Sequence, residues 1–246
     1  MKKLLTLLFG LIPINIIKIF LLRTLGHAIS YKSYIGFGIL AVKNIELKKH
    51  SKIKHFNFIK VESLILEESS FIGNFNILNG PLTVFLEKHA GISKQNKIRR
   101  SKAPISYGKA VLHLGENAII VSNHFLDLTK SISIGQHSIL AGIGSQLWTH
   151  GYYHDDTGPA RIRIDGEIKI QNNVYVGSRC IFNPGVVVNN AINIGAGSII
   201  SKNLMEKGMY VSQKMRHVDN NIITIRSKLK KVKGHNLIEE VYSKNG

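Results

Sequence analysis

Between residues 168 and 203 apolar side chains recur at every sixth position. Ile170, Val176, Phe182, Val188, Ile194 and Ile200 form an unbroken series, and Ile168, Val174, Cys180, Val186, Ile192 and Ser198 stand two residues before each member. One residue after each come Gln171, Gly177, Asn183, Asn189, Gly195 and Ser201, all small or turn-tolerant types. Alternating strands of a sandwich show a period of two without a fixed six. A period of six predicts a short strand, one inward aliphatic side chain and a tight corner per unit. Three units close a triangular coil of 18 residues. Stacked coils bury one continuous aliphatic column, the logic of repeats that cannot bury a core alone. Gly and Asn are expected at the corners because they tolerate positive φ.

The phase extends upstream. Ile134, Leu140 and Gln146 precede Ile170 by multiples of six, so segment 147–169 is expected to project from the prism as a loop and to rejoin it in register near Ile168. Leu66 and Ile72 keep one phase, and Leu86, Ile92 and Ile98 keep another. Breaks near 76–84 and 100–130 predict inserted loops or irregular corners. The segment RRSKAPISYGKA, 99–110, reads as an exposed basic loop.

Residues 4–25, LLTLLFGLIPINIIKIFLLRTL, are apolar but broken by Pro13, Asn15, Lys18 and Arg23. A spanning helix needs about 20 apolar residues with few charges, and a signal peptide needs a small-residue cleavage site, which the sequence around Gly26 and His27 does not offer. The stretch reads as a helix on a membrane surface, with Lys2, Lys3, Lys18 and Arg23 at anionic headgroups; the alternative is a helix packed on protein. After Ser212 the chain turns basic: IITIRSKLKKVK, 222–233, reads as a last strand or a charged appendage. The expected class is all-β, a parallel β-helix of hexapeptide repeats over 31–212 with projecting loop 147–167. An N-terminal apolar helix, 1–30, and a basic extension, 213–246, flank it.

Composition narrows the function. Cys180 is the single cysteine of 246 residues, which excludes an intramolecular disulfide and any multi-Cys zinc site. At an inward position of the repeat it reads as a core thiol. The net charge of +18 draws anions: nucleic acid, anionic lipid or a phosphorylated cofactor. No helix-turn-helix, zinc-finger or RNP-type signature accompanies it, so nucleic acid is not an expected partner.

The stretches ISIGQHSILAGIGSQLWTHGYYHD and IKIQNNVYVGSRCIFNPGVVVNNAINIGAGSIISKN resemble the left-handed β-helix acyltransferases, the hexapeptide-repeat family that includes galactoside and maltose O-acetyltransferases. The resemblance is good over roughly 120–216, weak over 35–110 and absent from the N-terminal segment. Members that modify capsule or lipopolysaccharide sugars often carry extra N-terminal parts, and the chain looks most like those. The resemblance implies a left-handed coil, an exception to the right-handed crossover rule. It also implies a homotrimer with active sites between subunits, and acetyl-CoA as donor along the groove between prisms. The implied activity is O-acetylation of a sugar hydroxyl of a surface polysaccharide or its precursor, in the cytoplasm or at the inner face of the cytoplasmic membrane.

Residue by residue, the resemblance makes His150, in LWTHG, the base that removes the acceptor hydroxyl's proton, a role a neutral imidazole suits. Asp155 or Asp156 would hold an imidazole in its tautomer. His154 and Trp148 are expected at the acceptor, and Asn123, in VSNHF, at its hydroxyl. Tyr175 and Ser178 match positions lining the CoA groove, and Ala196 and Gly197 would offer backbone groups to pantetheine. Ser201 and Lys202 match a pair near the adenine end. Arg216 matches a phosphate-binding arginine, although VSQKMR lacks the glycine and proline usual there. No metal is expected. Two alternatives stand beside this reading. One is a carbonic-anhydrase-like zinc enzyme using imidazoles from among His124, His137, His150 and His154. The other is a non-catalytic binder of anionic surfaces.

Overall fold

The computed structural model describes residues 1–102, 106–212, 222–233 and 240–244. The expected hexapeptide pattern forms a parallel β-solenoid with three faces, of eight, nine and eight strands. The first face runs from Ala28–Ile29 to Val187–Val188, the second from Tyr34–Ile35 to Gly208–Tyr210, and the third from Ile39–Leu40 to Ile199–Ile200. Strands two to five residues long alternate with corners, and each pairs in parallel with its counterpart one coil away. All six members of the sixfold series are buried, and so are the six residues two positions before them. Cys180 is fully buried, and burial pushes its thiol up from the usual value.

Left-handed corner residues do not stand where the repeat suggested. Positive φ occurs three residues after the inward aliphatic, not one: at Asn173 after Ile170, Arg179 after Val176 and Ala191 after Val188. Gly177 is needed for a different reason. A Cβ there would lie 2.7 Å from the amide nitrogen of Ala196 in the next coil. The residue after the inward aliphatic therefore sets coil-to-coil approach, and the residue at +3 turns the chain.

The upstream phase breaks are corner insertions. Val176 pairs with Ile194, 18 positions on, but Leu66 pairs with Leu86, 20 positions on, and Leu126 with Leu147, 21 positions on. In the last case Gly142-Ile143-Gly144 adds a residue and shifts the ladder. Leu147, not the expected Gln146, therefore points inward. Ile98 pairs with Leu126, 28 positions on, across the insertion at 100–110. That segment is not simply exposed. Arg100 is buried, and its guanidinium donates to the carbonyls of Pro81, Tyr107 and Gly108 at 2.8–2.9 Å.

A buried polar column runs through one corner. The Asn57 side-chain oxygen accepts from Asn76 N and Nδ2, and Asn76 Oδ1 accepts from Asn96 N and Nδ2. Asn96 Oδ1 accepts from His124 N, His124 Nδ1 from Ser145 N, and Ser145 Oγ from Cys180 N. Each side chain closes the corner of its neighbour, so the coils are tied by hydrogen bonds as well as by the aliphatic core. Burial holds the His124 ring neutral, with its pKa down at about 4.

The N-terminal segment is two helices, α1 (Lys2–Gly10) and α2 (Asn15–Thr24), broken around Pro13. They cover the strand edge of the first coil. Ile19 and Leu22 are fully buried there. Asn15 imitates the missing strand: its Oδ1 accepts from Ile35 N and its Nδ2 donates to Ser33 O. Lys18 Nζ donates to the carbonyls of Ile35 and Gly36, and Arg23 to that of Ile29. Lys3 pairs with Glu62 at 2.6 Å. Three of the four cations expected at headgroups are thus bonded to protein: Lys3 to a carboxylate, and Lys18 and Arg23 to an open strand edge whose C=O groups must be satisfied. The opposite face leaves Leu4, Leu8, Leu11, Ile14, Ile17 and Phe20 exposed.

Burial lowers the Lys18 ammonium from 10.5 to about 8. A lowered folded-state pKa means the unfolded chain binds more protons between those values, so stability rises with pH through that window. Measured against Lys18→Met, the wild type is expected to gain up to about 3 kcal/mol between pH 8 and 10.5. Urea titrations of the pair at each pH test this, and a difference independent of pH contradicts it.

Residues 213–246 form a separate compact unit. Its described parts are a helix, Ile222–Ser227, and an antiparallel pair, Leu229–Lys231 with Tyr242–Lys244. The sequence pattern at 222–233, read as one strand or an appendage, is thus helix and then strand. Glu240 pairs with Arg226 at 2.8 Å and Lys231 at 2.5 Å.

Candidate active site

The projecting loop is a two-stranded antiparallel hairpin, His150–His154 with Arg161–Asp165. It leaves the third face directly after Gln146–Leu147 and returns to the first face at Ile168–Ile170. His150 is the first residue of its outgoing strand, anchored at the prism, while His154 lies at the far end opposite Arg161.

His150 Nδ1 lies 2.8 Å from Asp127 Oδ2. Asp127 ends the strand Phe125–Asp127 and belongs to the coil before His150. The carboxylate is held from several sides. Thr149 N and Oγ1 approach Oδ2 at 3.3 and 2.8 Å, and Thr129 Oγ1 donates to Oδ1 at 3.1 Å. A carboxylate so fixed keeps the proton of a neutral imidazole on Nδ1 and leaves the Nε2 lone pair free. Asp155 and Asp156, the expected orienters, sit beyond the hairpin's outer end. Asp127 was missed because it is 23 positions away in sequence. Counting one coil back from Trp148, 21 positions at this level, lands on it.

Trp148 stands between two hollows. One, of about 420 Å³, is lined by Lys97, Asn123, Phe125, Gln146 and Trp148 among others. The other, of about 430 Å³, is lined by Trp148, His150, Tyr152, Asn183, Pro184 and Ser201 among others. The indole donates to Gln146 Oε1 at 3.0 Å and packs on Phe125, ring centres 4.8 Å apart. Its edge faces His150 at 6.3 Å. Asn123 is a left-handed corner residue, φ 55°. The structure thus brings together His150, Trp148, Asn123 and Ser201, and adds Asp127, Thr149 and Tyr152.

The other expected residues lie apart from this cluster. His154 borders a separate hollow of about 290 Å³ at the hairpin's outer end. Tyr175 projects from the second face, half exposed. Ser178 Oγ accepts from Ile143 N at 3.3 Å. Ala196 and Gly197 form the corner one coil above Ser178, where Gly197 N donates to Ser178 O. Lys202 is exposed after Ile199–Ile200. These positions, expected on the donor side, occupy coils C-terminal to His150. Arg216 lies outside the described residues. Among the described residues no group of three metal-binding side chains forms. His124, counted among candidate zinc ligands, is enclosed in the corner column with Nδ1 engaged.

No family model matches the sequence. The chain is 31% identical over 105 residues to galactoside O-acetyltransferase of Escherichia coli (strain K12), a match covering 40% of this chain and 48% of the relative. The chain thus spans about half the length of the curated relative it matches. Among solved structures, it is similar to the polysialic acid O-acetyltransferase OatWY with a TM-score of 0.50 at 15% identity, covering 82% of this chain and 92% of that one. At that identity the likeness concerns the fold, a solenoid of hexapeptide repeats.

Proposed function

We propose that this hexapeptide-repeat solenoid is an O-acetyltransferase that moves the acetyl group of acetyl-CoA to a sugar hydroxyl of a surface polysaccharide or its precursor. The observation that carries the proposal is the His150–Asp127 contact at the edge of two hollows, with Nε2 free. Nε2 takes the proton of the acceptor hydroxyl as its oxygen attacks the thioester carbonyl carbon. The C–S bond then breaks, and the imidazolium returns the proton to the departing thiolate. Asp127 keeps Nδ1 protonated throughout and offsets the charge on the ring. The galactoside O-acetyltransferase likeness supports the reaction class.

In this reading the coil is left-handed and the protein works as a homotrimer with sites between copies. Tyr175, Ser178, Ala196, Gly197, Ser201 and Lys202 face the donor, while Asn123 and Trp148 face the acceptor. Leu4 and Leu8 on α1, Ile17 on α2 and Ile14 just before it, all exposed, rest on the inner face of the cytoplasmic membrane. Among the described residues no helix is long and apolar enough to cross one.

The test is thiol release from acetyl-CoA in the presence of a sugar panel, with CoA binding measured separately. Acceptor-dependent release is the expected result. Absence of any CoA binding would sink the proposal.

A further inference from the structure

Charge is distributed unevenly around the prism. The eight strands of the third face carry four ionised side chains: Lys60, Lys97, Arg99 and Asp127. Asp127 is buried and committed to His150 and two threonines. The three cations are exposed, and none has a carboxylate within 4.0 Å among the described residues. Acidic side chains gather elsewhere: Glu46 projects from the first face, and Glu67, Glu68, Glu87 and Glu116 line the corner between the first and second faces.

The cations are also ordered with respect to His150. Arg99 pairs in register with Asp127, Asn79 with Arg99, and Lys60 with Asn79. Lys97 shares the rung of Arg99 and lines the hollow beside Trp148. At about 4.8 Å per strand, Lys60 stands roughly 14 Å from Asp127 along the solenoid axis. All three lie on coils N-terminal to His150, whereas the proposed donor residues lie on coils C-terminal to it.

We propose that the acceptor is an acidic oligosaccharide. It lies along the third face with its reacting hydroxyl at His150, its charged groups bound by Arg99, Lys97 and Lys60. The inference rests on the O-acetyltransferase reading for the hydroxyl's fate, but not for the binding. Arg99 offers a planar fork that suits a carboxylate or a phosphodiester, and the lysines supply point charges farther along. Spacing over three rungs suits a chain charged at successive sugars rather than one small sugar. Exposed cations in water are screened by salt, so the affinity they give falls as ionic strength rises.

The experiment measures binding of the full chain to two sets of oligosaccharides of equal length. One set is acidic: oligomers of galacturonic, glucuronic and sialic acid, and a phosphodiester-linked sugar oligomer. The other is neutral: oligomers of glucose and galactose. Wild type is compared with Lys60→Gln and with the triple variant Lys60→Gln, Lys97→Gln, Arg99→Gln, and acetyl transfer is followed in parallel. At least one acidic oligomer is expected to bind ten times more tightly than every neutral one. That preference should shrink severalfold in Lys60→Gln, vanish in the triple variant, and weaken between about 0.05 and 0.5 M salt. Which acidic oligomer binds separates carboxylate from phosphodiester. Equal binding of the two sets, or an acidic preference that the triple variant keeps, overturns the inference. So does a variant whose KM rises for acetyl-CoA rather than for acceptor. Transfer to neutral sugars alone would overturn it while leaving the acetyltransferase intact. Acidic binding without any transfer would leave it standing and remove the proposed reaction.

Discussion

Truncating His150 to alanine is expected to lower kcat at least a hundredfold while leaving CoA binding unchanged. A positioned general base contributes about 10² to 10⁴ in rate, and a hundredfold loss corresponds to about 2.7 kcal/mol of transition-state stabilisation. The other imidazole in these hollows, His124, is buried, and its Nδ1 already accepts from Ser145 N, so Nε2 carries the ring proton and has no lone pair to offer. The hydroxyls of Ser201 and Tyr152 are far weaker bases at neutral pH, and Lys97 is an ammonium. The companion variant Asp127→Asn separates positioning from packing. An asparagine of the same shape can turn its amide N–H toward Nδ1, which puts the imidazole proton on Nε2 and removes the lone pair facing the acceptor. It is expected to cost about as much in kcat as the loss of His150 itself, with the thermal midpoint nearly kept. Asp127→Ala also removes the acceptor for Thr129 and Thr149, so it should lower both activity and stability. If Asp127→Asn retains full activity, the 2.8 Å contact is structural and the base is held by something else.

The largest expected effect on stability is at Asn76. Its Nδ2 donates to Asn57 Oδ1 and Ser93 O, and its Oδ1 accepts two bonds from Asn96; Asn57, Asn76 and Asn96 are buried and Ser93 is partly exposed. Asn76→Leu keeps the branched shape but is larger, and it strands the buried Asn96 amide N–H. An orphaned buried group costs about 1–3 kcal/mol and the extra side-chain volume in a packed corner about 1–3 kcal/mol more, so a loss of about 4 kcal/mol is expected. The measurement is the urea midpoint, read with the m-value to show that the change is one of stability. The exposed Asn193→Ala serves as control and should fall within about 0.5 kcal/mol. A loss under about 1 kcal/mol at Asn76 would mean that water replaces the ladder partner.

The solenoid itself was legible because an inward side chain every sixth residue is a local property. Six hexapeptides in a row, Ile170 to Ile200, need no knowledge of the rest of the chain. Most of the earlier coils were blurred by one to three extra corner residues, and the one after Ile98 by ten, which destroy the period without disturbing the stack. Gln146 was assigned inward for that reason, one residue short of Leu147. His150 was found from its surroundings in sequence, LWTHG, whereas its partner came from a different coil. Coil length there is 21 rather than 18, so a strict period points past Asp127. Lys18 was misplaced on different grounds. A lone cation in an apolar run looks like a membrane-surface feature until the open carbonyls of Ile35 and Gly36 are known to lie beneath it.

A stack of identical coils has no intrinsic length, since each rung presents the next with the same edge it received. What ends this one at its first coil is not a change in the repeat but Asn15, Lys18 and Arg23, side chains occupying the bonding positions of a further rung. Without them the first coil would be a template for the last coil of another copy, a head-to-tail contact that does not close on itself and so grows into a fibre. The N-terminal helices are in that sense a terminator: they make a discrete particle out of a geometry that by itself would polymerise.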